Sequence, residues 1–214
     1  PSYKLEFDLD KWRGKLYVQF GSSLLVYNIT DLPASINVTF NGYTAAVLAL
    51  WRPSLNVNLS NPRLNGGLIT YNVSINVDGL PWAVFKGTVK IDERLDGNYQ
   101  GGVFNTTLSL EPGKEKDITI AVGKLSTIVH VKTPSLKIEL IPLGAVVEGG
   151  KARLLVKINY NIEVVNAPPI VFDGPGLVSA SSIQQNLAIL TYNFNDTIVI
   201  RHKALGGENS VIVR

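Results

Sequence analysis

The chain has 214 residues, 45% apolar and only 17% charged, with a net charge of +3 and neither Cys nor Met. That length can bury a real core in one large β-domain or two small ones, while the missing Cys excludes disulfides, Cys-ligated metals and a thiol nucleophile. Scattered Lys and Arg with so weak a net charge argue against nucleic acid, and the longest apolar run, the seven residues from Ala45 to Trp51, falls far short of the roughly 18 that a membrane helix needs.

The chain opens on Pro1 and holds no Met, which predicts a processed or trimmed end from which any targeting peptide has gone. Tyr3, Leu5, Phe7 and Leu9 then alternate strictly with Ser2, Lys4, Glu6, Asp8 and Asp10, the period of a half-buried strand, before the break Lys11-Trp12-Arg13-Gly14. Two readings of residues 1–10 are open. The segment is the first strand of its own sandwich, or it is a donor strand that adds to a neighbour's open sheet edge and fills that core with alternate side chains. Head-to-tail repetition of the second contact propagates as a filament.

Further along, Ile36, Val38 and Phe40 alternate with Ser35, Asn37 and Thr39, and Asn41-Gly42 predicts a hairpin into YTAAVLALW. Ile69, Tyr71, Val73, Ile75 and Val77 form a longer alternating run, which Asp78-Gly79 is expected to join as a hairpin to PWAVFKGTVKI. Asn65-Gly66, Asp96-Gly97 and Asp173-Gly174 supply the same tight-turn chemistry. The pattern breaks at Glu111 to Lys116 and again at Lys132-Thr133-Pro134; from Ser135 onward about seven short strands follow, the number of an immunoglobulin-like sandwich without its Cys pair. No amphipathic helix is evident. These features predict an all-β, antiparallel β-sandwich divided as 1–12, 13–133 and 134–214, the last segment being a second sandwich or a continuation of the first.

Polar surface is supplied by 18 Asn, 14 Ser and 12 Thr. Asn-x-Ser/Thr occurs at Asn28, Asn37, Asn58, Asn72, Asn105 and Asn195, where chance pairing would give roughly two such triplets. In a strand, i and i+2 share a face, so the apolar middle residues Ile29, Val38, Leu59 and Val73 predict Asn and hydroxyl pointing outward. Polar-out strands rich in Asn and Thr generate such triplets as a by-product; the preferred reading is N-linked glycans on the outer faces of an extracellular protein.

Signals for catalysis are weak. GAVVEGGK (144–151) lacks the spacing and final Ser/Thr of a phosphate loop and reads as a turn between strands. Asp92, Glu93 and Asp96 lack the calcium-loop pattern and read as a solvated hairpin tip. No GxSxG elbow occurs, and His130 and His202 each lie in a strand-like run. The chain is expected to be no enzyme and to hold no metal or cofactor. Trp12, Trp51 and Trp82 leave open a carbohydrate-binding or surface-layer-associated module.

The alternating N-terminal segment, the Asn/Thr-rich sandwich and the sequon-bearing strands together resemble subunits of the archaeal thread, a glycosylated surface filament of Sulfolobus-type archaea with pilin-like, donor-strand-complemented subunits. The resemblance implies an extracellular filament of identical subunits serving adhesion or cell contact, with no membrane span in the mature chain. It also implies that Tyr3, Leu5, Phe7 and Leu9 are donor side chains and that the six sequon asparagines carry glycans. Unlike bacterial relatives of that architecture, the chain has no cysteine pair. Low charge suits acid exposure, because near pH 2–3 ordinary carboxylates are mostly protonated and ion pairs contribute little.

Overall fold

A computed structural model describes residues 1–193 and 198–204 and the backbone of 207–213. The protein is all-β, with antiparallel sheets packed as in a β-sandwich and no helix among the described residues. By contacts the chain forms two compact units: residues 1–60, 72–107 and 115–131, and residues 61–71, 108–114 and 132–214.

The first unit begins with the meander β1 (Ser2–Asp8), β2 (Arg13–Phe20) and β3 (Ser23–Ile29), followed by the hairpin β4 (Ala34–Phe40) and β5 (Tyr43–Leu50). Two long strands, β6 (Ser54–Asn65) and β7 (Leu68–Asp78), lead into β8 (Ala83–Ile91), β9 (Arg94–Tyr99), β10 (Phe104–Leu110), β11 (Glu115–Val122) and β12 (Leu125–Lys132). The main sheet runs β12-β11-β8-β1-β2-β3, with β9 on β8, and β10, β7 and β6 are neighbours in another. Alternation sorts the side chains as expected. Leu5, Phe7, Leu16, Val18, Val73, Ile75, Val89, Ile118 and Ile120 are buried, while the residues between them face outward or are only partly covered. Strands β6, β7 and β10 contribute residues to both units.

The second unit contains β13 (Ile138–Glu148), β14 (Lys151–Tyr160), β15 (Val164–Asn166), β16 (Val171–Asp173), β17 (Leu177–Gln184), β18 (Leu187–Asn193), β19 (Ile198–Ala204) and β20 (Gly207–Val213). Its sheets are β13-β14-β18-β17 and β16-β19-β20, and β15 pairs in parallel with β6 at Leu64. Ile138, Leu140, Leu154, Val156, Ile158, Leu190, Tyr192 and Ile200 form its core. Thr133, buried at the start of the second unit's last segment, donates its hydroxyl to the carbonyl of Glu111 and accepts the N–H of Lys114.

The turn chemistry sorts three ways. Asn41-Gly42, at φ 52° and 78°, closes the expected β4–β5 hairpin with Phe40 opposite Tyr43. Asn65-Gly66 lies between the neighbouring strands β6 and β7, and Gly149-Gly150 closes β13 onto β14. Asp78-Gly79 and Asp173-Gly174 instead turn corners. Strands β7 and β8 belong to different sheets, as do β16 and β17, so the expected β7–β8 hairpin does not exist. Gly79 is needed for packing, because a Cβ there would press on the Phe85 ring at 3.0 Å.

Asp96-Gly97 lies inside β9, and the tight turn falls four residues earlier, with Asp92 and Glu93 at φ 47° and 65° and Ile91 opposite Arg94. The Asp92 carboxylate compensates for that backbone by accepting the N–H of Thr119 at 2.9 Å. The two positions respond oppositely to substitution. Glu93→Gly should raise stability by about 0.5 kcal/mol by relieving a left-handed non-glycine residue. Gly97→Ala should lower it, because the new Cβ would sit 2.8 Å from the Phe104 ring; thermal melts of both variants check the turn's position.

Candidate functional site

Residues 1–10 stand out by their alternation, and their surroundings enclose them closely. Strand β1 is hydrogen-bonded on both edges. It pairs antiparallel with β2 from Ser2 opposite Gln19 to Asp8 opposite Arg13, and parallel with β8 from Leu5 opposite Ala83 to Asp8 opposite Lys86. Leu5, Phe7 and Leu9 are buried and Tyr3 is partly covered. Phe7 meets Trp12 edge-on with ring centroids 5.2 Å apart, and Tyr3 lies 5.9 Å from Trp82. Leu5, Phe7 and Leu9 therefore fill the core of their own chain, and Tyr3 lies partly covered beside Trp82.

Three glycines make this slot narrow. A Cβ on Gly14 would strike the Glu6 carbonyl, one on Gly123 would strike the Leu9 carbonyl, and one on Gly87 would press on Leu9 Cβ at 3.1 Å. Beyond β1 the hydrogen bonding continues. Leu9 N–H donates to the Lys86 carbonyl at 2.8 Å, and the Leu9 carbonyl accepts Lys124 N–H at 2.9 Å. The Asp10 carboxylate accepts both the N–H and the hydroxyl of Thr88 at 3.0 Å. Sequence reasoning missed Asp10 and these glycines as partners of β1, although a glycine inside or beside a strand is itself a sign of close backbone approach.

The β1–β2 turn is held from outside by Trp12, whose backbone lies at φ 56°. Its indole N–H donates to Asp31 at 2.8 Å, and the Arg52 guanidinium stacks 4.8 Å above the ring. The Trp12 hydrogen bond, then that from Leu32 N–H, holds the Asp31 carboxyl below its usual range, with Arg52 adding to the effect. On β12, His130 meets Asp117 at 2.7 Å and Glu115 at 3.6 Å, and the hydrogen bond to Asp117 holds its pKa above the ordinary value. His202 is buried in β19. Among the described residues, no group of three or more His, Cys, Asp and Glu is placed to hold a metal ion, and no helix is long and apolar enough to cross a membrane.

Asn28, Asn37, Asn58, Asn72 and Asn105 lie on β3, β4, β6, β7 and β10, and all five are exposed, with Ile29, Val38 and Val73 buried between Asn and hydroxyl. All five belong to the first unit. The Ser74 hydroxyl donates to Asn105 Oδ1 at 3.1 Å, bringing the sequons of β7 and β10 side by side. Asn195 lies outside the described residues. Trp51 is largely exposed, whereas Trp12 and Trp82 are half-buried. No family model, curated protein or solved structure matches the chain.

The slot can be tested with two glycines of nearly equal backbone conformation. A Cβ added at Gly21 (φ 55°) would have nothing within 4 Å, whereas one at Gly123 (φ 57°) would meet the Leu9 carbonyl. Gly21→Ala should cost only the left-handed penalty, about 1 kcal/mol, and Gly123→Ala at least about 2 kcal/mol more, as read from denaturant midpoints. Asp31 predicts a pH dependence. Its lowered pKa contributes stability that is present above the ordinary value of 3.8 and lost as pH falls through the folded value. Asp31→Asn should therefore be less stable than the parent at neutral pH, and the gap should close in strong acid; melts from about pH 2 to 7 measure it.

Proposed function

We propose that the chain is a structural subunit of an extracellular, glycan-bearing filament. The observation that carries this reading is the orientation of the sequons. Five asparagines stand outward on five different strands of one unit, where a β-sandwich accepts a bulky solubilising modification without disturbing its core. Assembly in this reading occurs by exchange of β1. The slot defined by β2, β8, Gly14, Gly87 and Gly123 takes the same strand from a neighbour, with the same side chains filling the same positions. Such exchange of an identical element is a low-cost route to association, and when it runs one way along a row of subunits it propagates. Opening the β1–β2 turn would also release Trp12 from its left-handed backbone, an offset of about 1–2 kcal/mol.

A second reading is favoured by the pairing of β1 within its own chain on both edges. In it, β1 stays at home and the protein is a monomeric secreted module that binds carbohydrate or surface-layer material, with Trp51 as its exposed aromatic.

Removing residues 1–10 separates the two. In the filament reading, the truncated chain forms no fibres in electron micrographs, its body loses most of its stability, and a synthetic peptide of residues 1–10 restores it. Fibres formed by the truncated chain sink strand exchange, and parent protein that stays dispersed under every assembly condition supports the monomeric module. Intact mass addresses the glycans separately: native material at the 23.3 kDa of the bare chain carries none.

A further inference from the structure

The face of the main sheet opposite its core is hollow. Across β1, β2 and β3 its side chains form rows: Glu6, Lys15 and Asn28 in one, and Lys4, Tyr17 and Val26 in the next. A trough of about 610 Å³ is lined by Glu6, Lys15, Tyr17, Asn28, Thr30 and Lys86, among others. A second hollow of about 340 Å³ shares Glu6 and Tyr17 and reaches Leu24.

Both the Asn and the Thr of the first sequon thus line a cavity. Beside them on the edge strand β3, Val26 and Leu24 stand 50% and 57% exposed, on a strand that pairs on one side only. Apolar side chains on an open edge are an aggregation hazard unless something covers them.

We propose that this trough is a carbohydrate site filled from within the molecule, and that the glycan on Asn28 folds back across β2 and packs on Tyr17 and Val26. This inference rests on the glycan part of the reading above and is independent of the filament part. Tyr17 is the diagonal neighbour of Asn28, which places the two residues about 7–8 Å apart, with their Cβ atoms somewhat closer, a span covered by the first two rings of an Asn-linked glycan. Sugar rings offer an apolar C–H face to Tyr17 and Val26 and hydroxyls to the charged rim. Lys4, Glu6, Lys15 and Lys86 supply donors and acceptors there, with Lys4 and Glu6 already paired at 3.0 Å. The same juxtaposition recurs at Asn37, directly opposite Val47, which is 62% exposed. Two of the sequons thus sit beside exposed apolar side chains.

The test uses full-length protein from a host that glycosylates sequons, with occupancy at Asn28 read by peptide mass. Removal of this glycan by Asn28→Gln, or by Thr30→Ala, which keeps the asparagine, should lower the melting temperature by about 2–4 °C. In the Tyr17→Ser background the same removal should have less than about a third of that effect, the coupling expected of groups in contact. Exoglycosidases should trim the Asn28 glycan of folded protein several-fold more slowly than that at Asn58, and equally fast after denaturation. This second arm stands even if Tyr17→Ser does not fold. Additive melting shifts, or equal trimming on folded protein, overturn the inference while leaving the glycosylation reading intact. An unmodified Asn28 beside glycans at other sequons overturns the inference alone, and absence of glycan at every sequon overturns both.

Discussion

The first unit depends on the two-sided pairing of β1. A terminal strand would ordinarily be the easiest element to lose, yet here it lies between β2 and β8 at the centre of the main sheet. Its removal would expose two sheet edges at once and empty the space filled by Leu5, Phe7 and Leu9. The glycines at 14, 87 and 123 show how closely the neighbouring backbone has been drawn in around it. Asp10 then ties the end of the strand to Thr88, so the segment is held by backbone, side chain and absence of side chain together.

Much of this was legible in the sequence because strand burial is a local, two-residue pattern. Alternation alone placed Leu5, Phe7 and Leu9 on one face and set Asn28, Asn37, Asn58 and Asn72 outward, whereas the polar triplet at Asn105 gave no such signal. Turn chemistry was less informative because the same dipeptide serves different geometries. Asn41-Gly42 and Asp78-Gly79 offer similar backbone freedom, but one closes a hairpin and the other carries the chain to another sheet. That difference depends on where the following strand finds its partner, which no short window contains. At Asp92-Glu93, which the sequence already marks as part of a hairpin tip, the left-handed turn is made without glycine and supported by a hydrogen bond from distant β11, whereas Asp96-Gly97, expected as a tight turn, lies inside β9. Whether a strand such as β1 stays in its own sheet is likewise invisible to hydropathy, since both locations bury the same side chains.

The two units differ in how their surfaces are built. Every sequon among the described residues lies in the first, where apolar side chains on β3 and β5 stand beside Asn28 and Asn37. Lys4–Glu6 and His130 with its two carboxylates are exposed ion pairs, and Asp31 and His130, whose titration is shifted, act at opposite ends of the pH scale. Asp31 contributes once it is ionised, whereas His130 contributes while it is protonated and Asp117 is ionised, a benefit lost as pH rises through the raised pKa of His130. A surface dominated by neutral Asn, Ser and Thr leaves the unit's stability to burial and backbone pairing, which do not titrate.

The parallel register between β1 and β8 has a kinetic consequence. Leu5 meets Ala83 only after every intervening strand has been made, and contacts so distant along the chain form late. As the polypeptide emerges, β1, β2 and β3 can zip together as a local meander while the far edge of β1 waits. Until β8 arrives, that edge is open, and afterwards it is sealed. The interval between the two events is set by how fast the chain is made and folds, so the order of folding, more than any later equilibrium, decides what β1 first encounters.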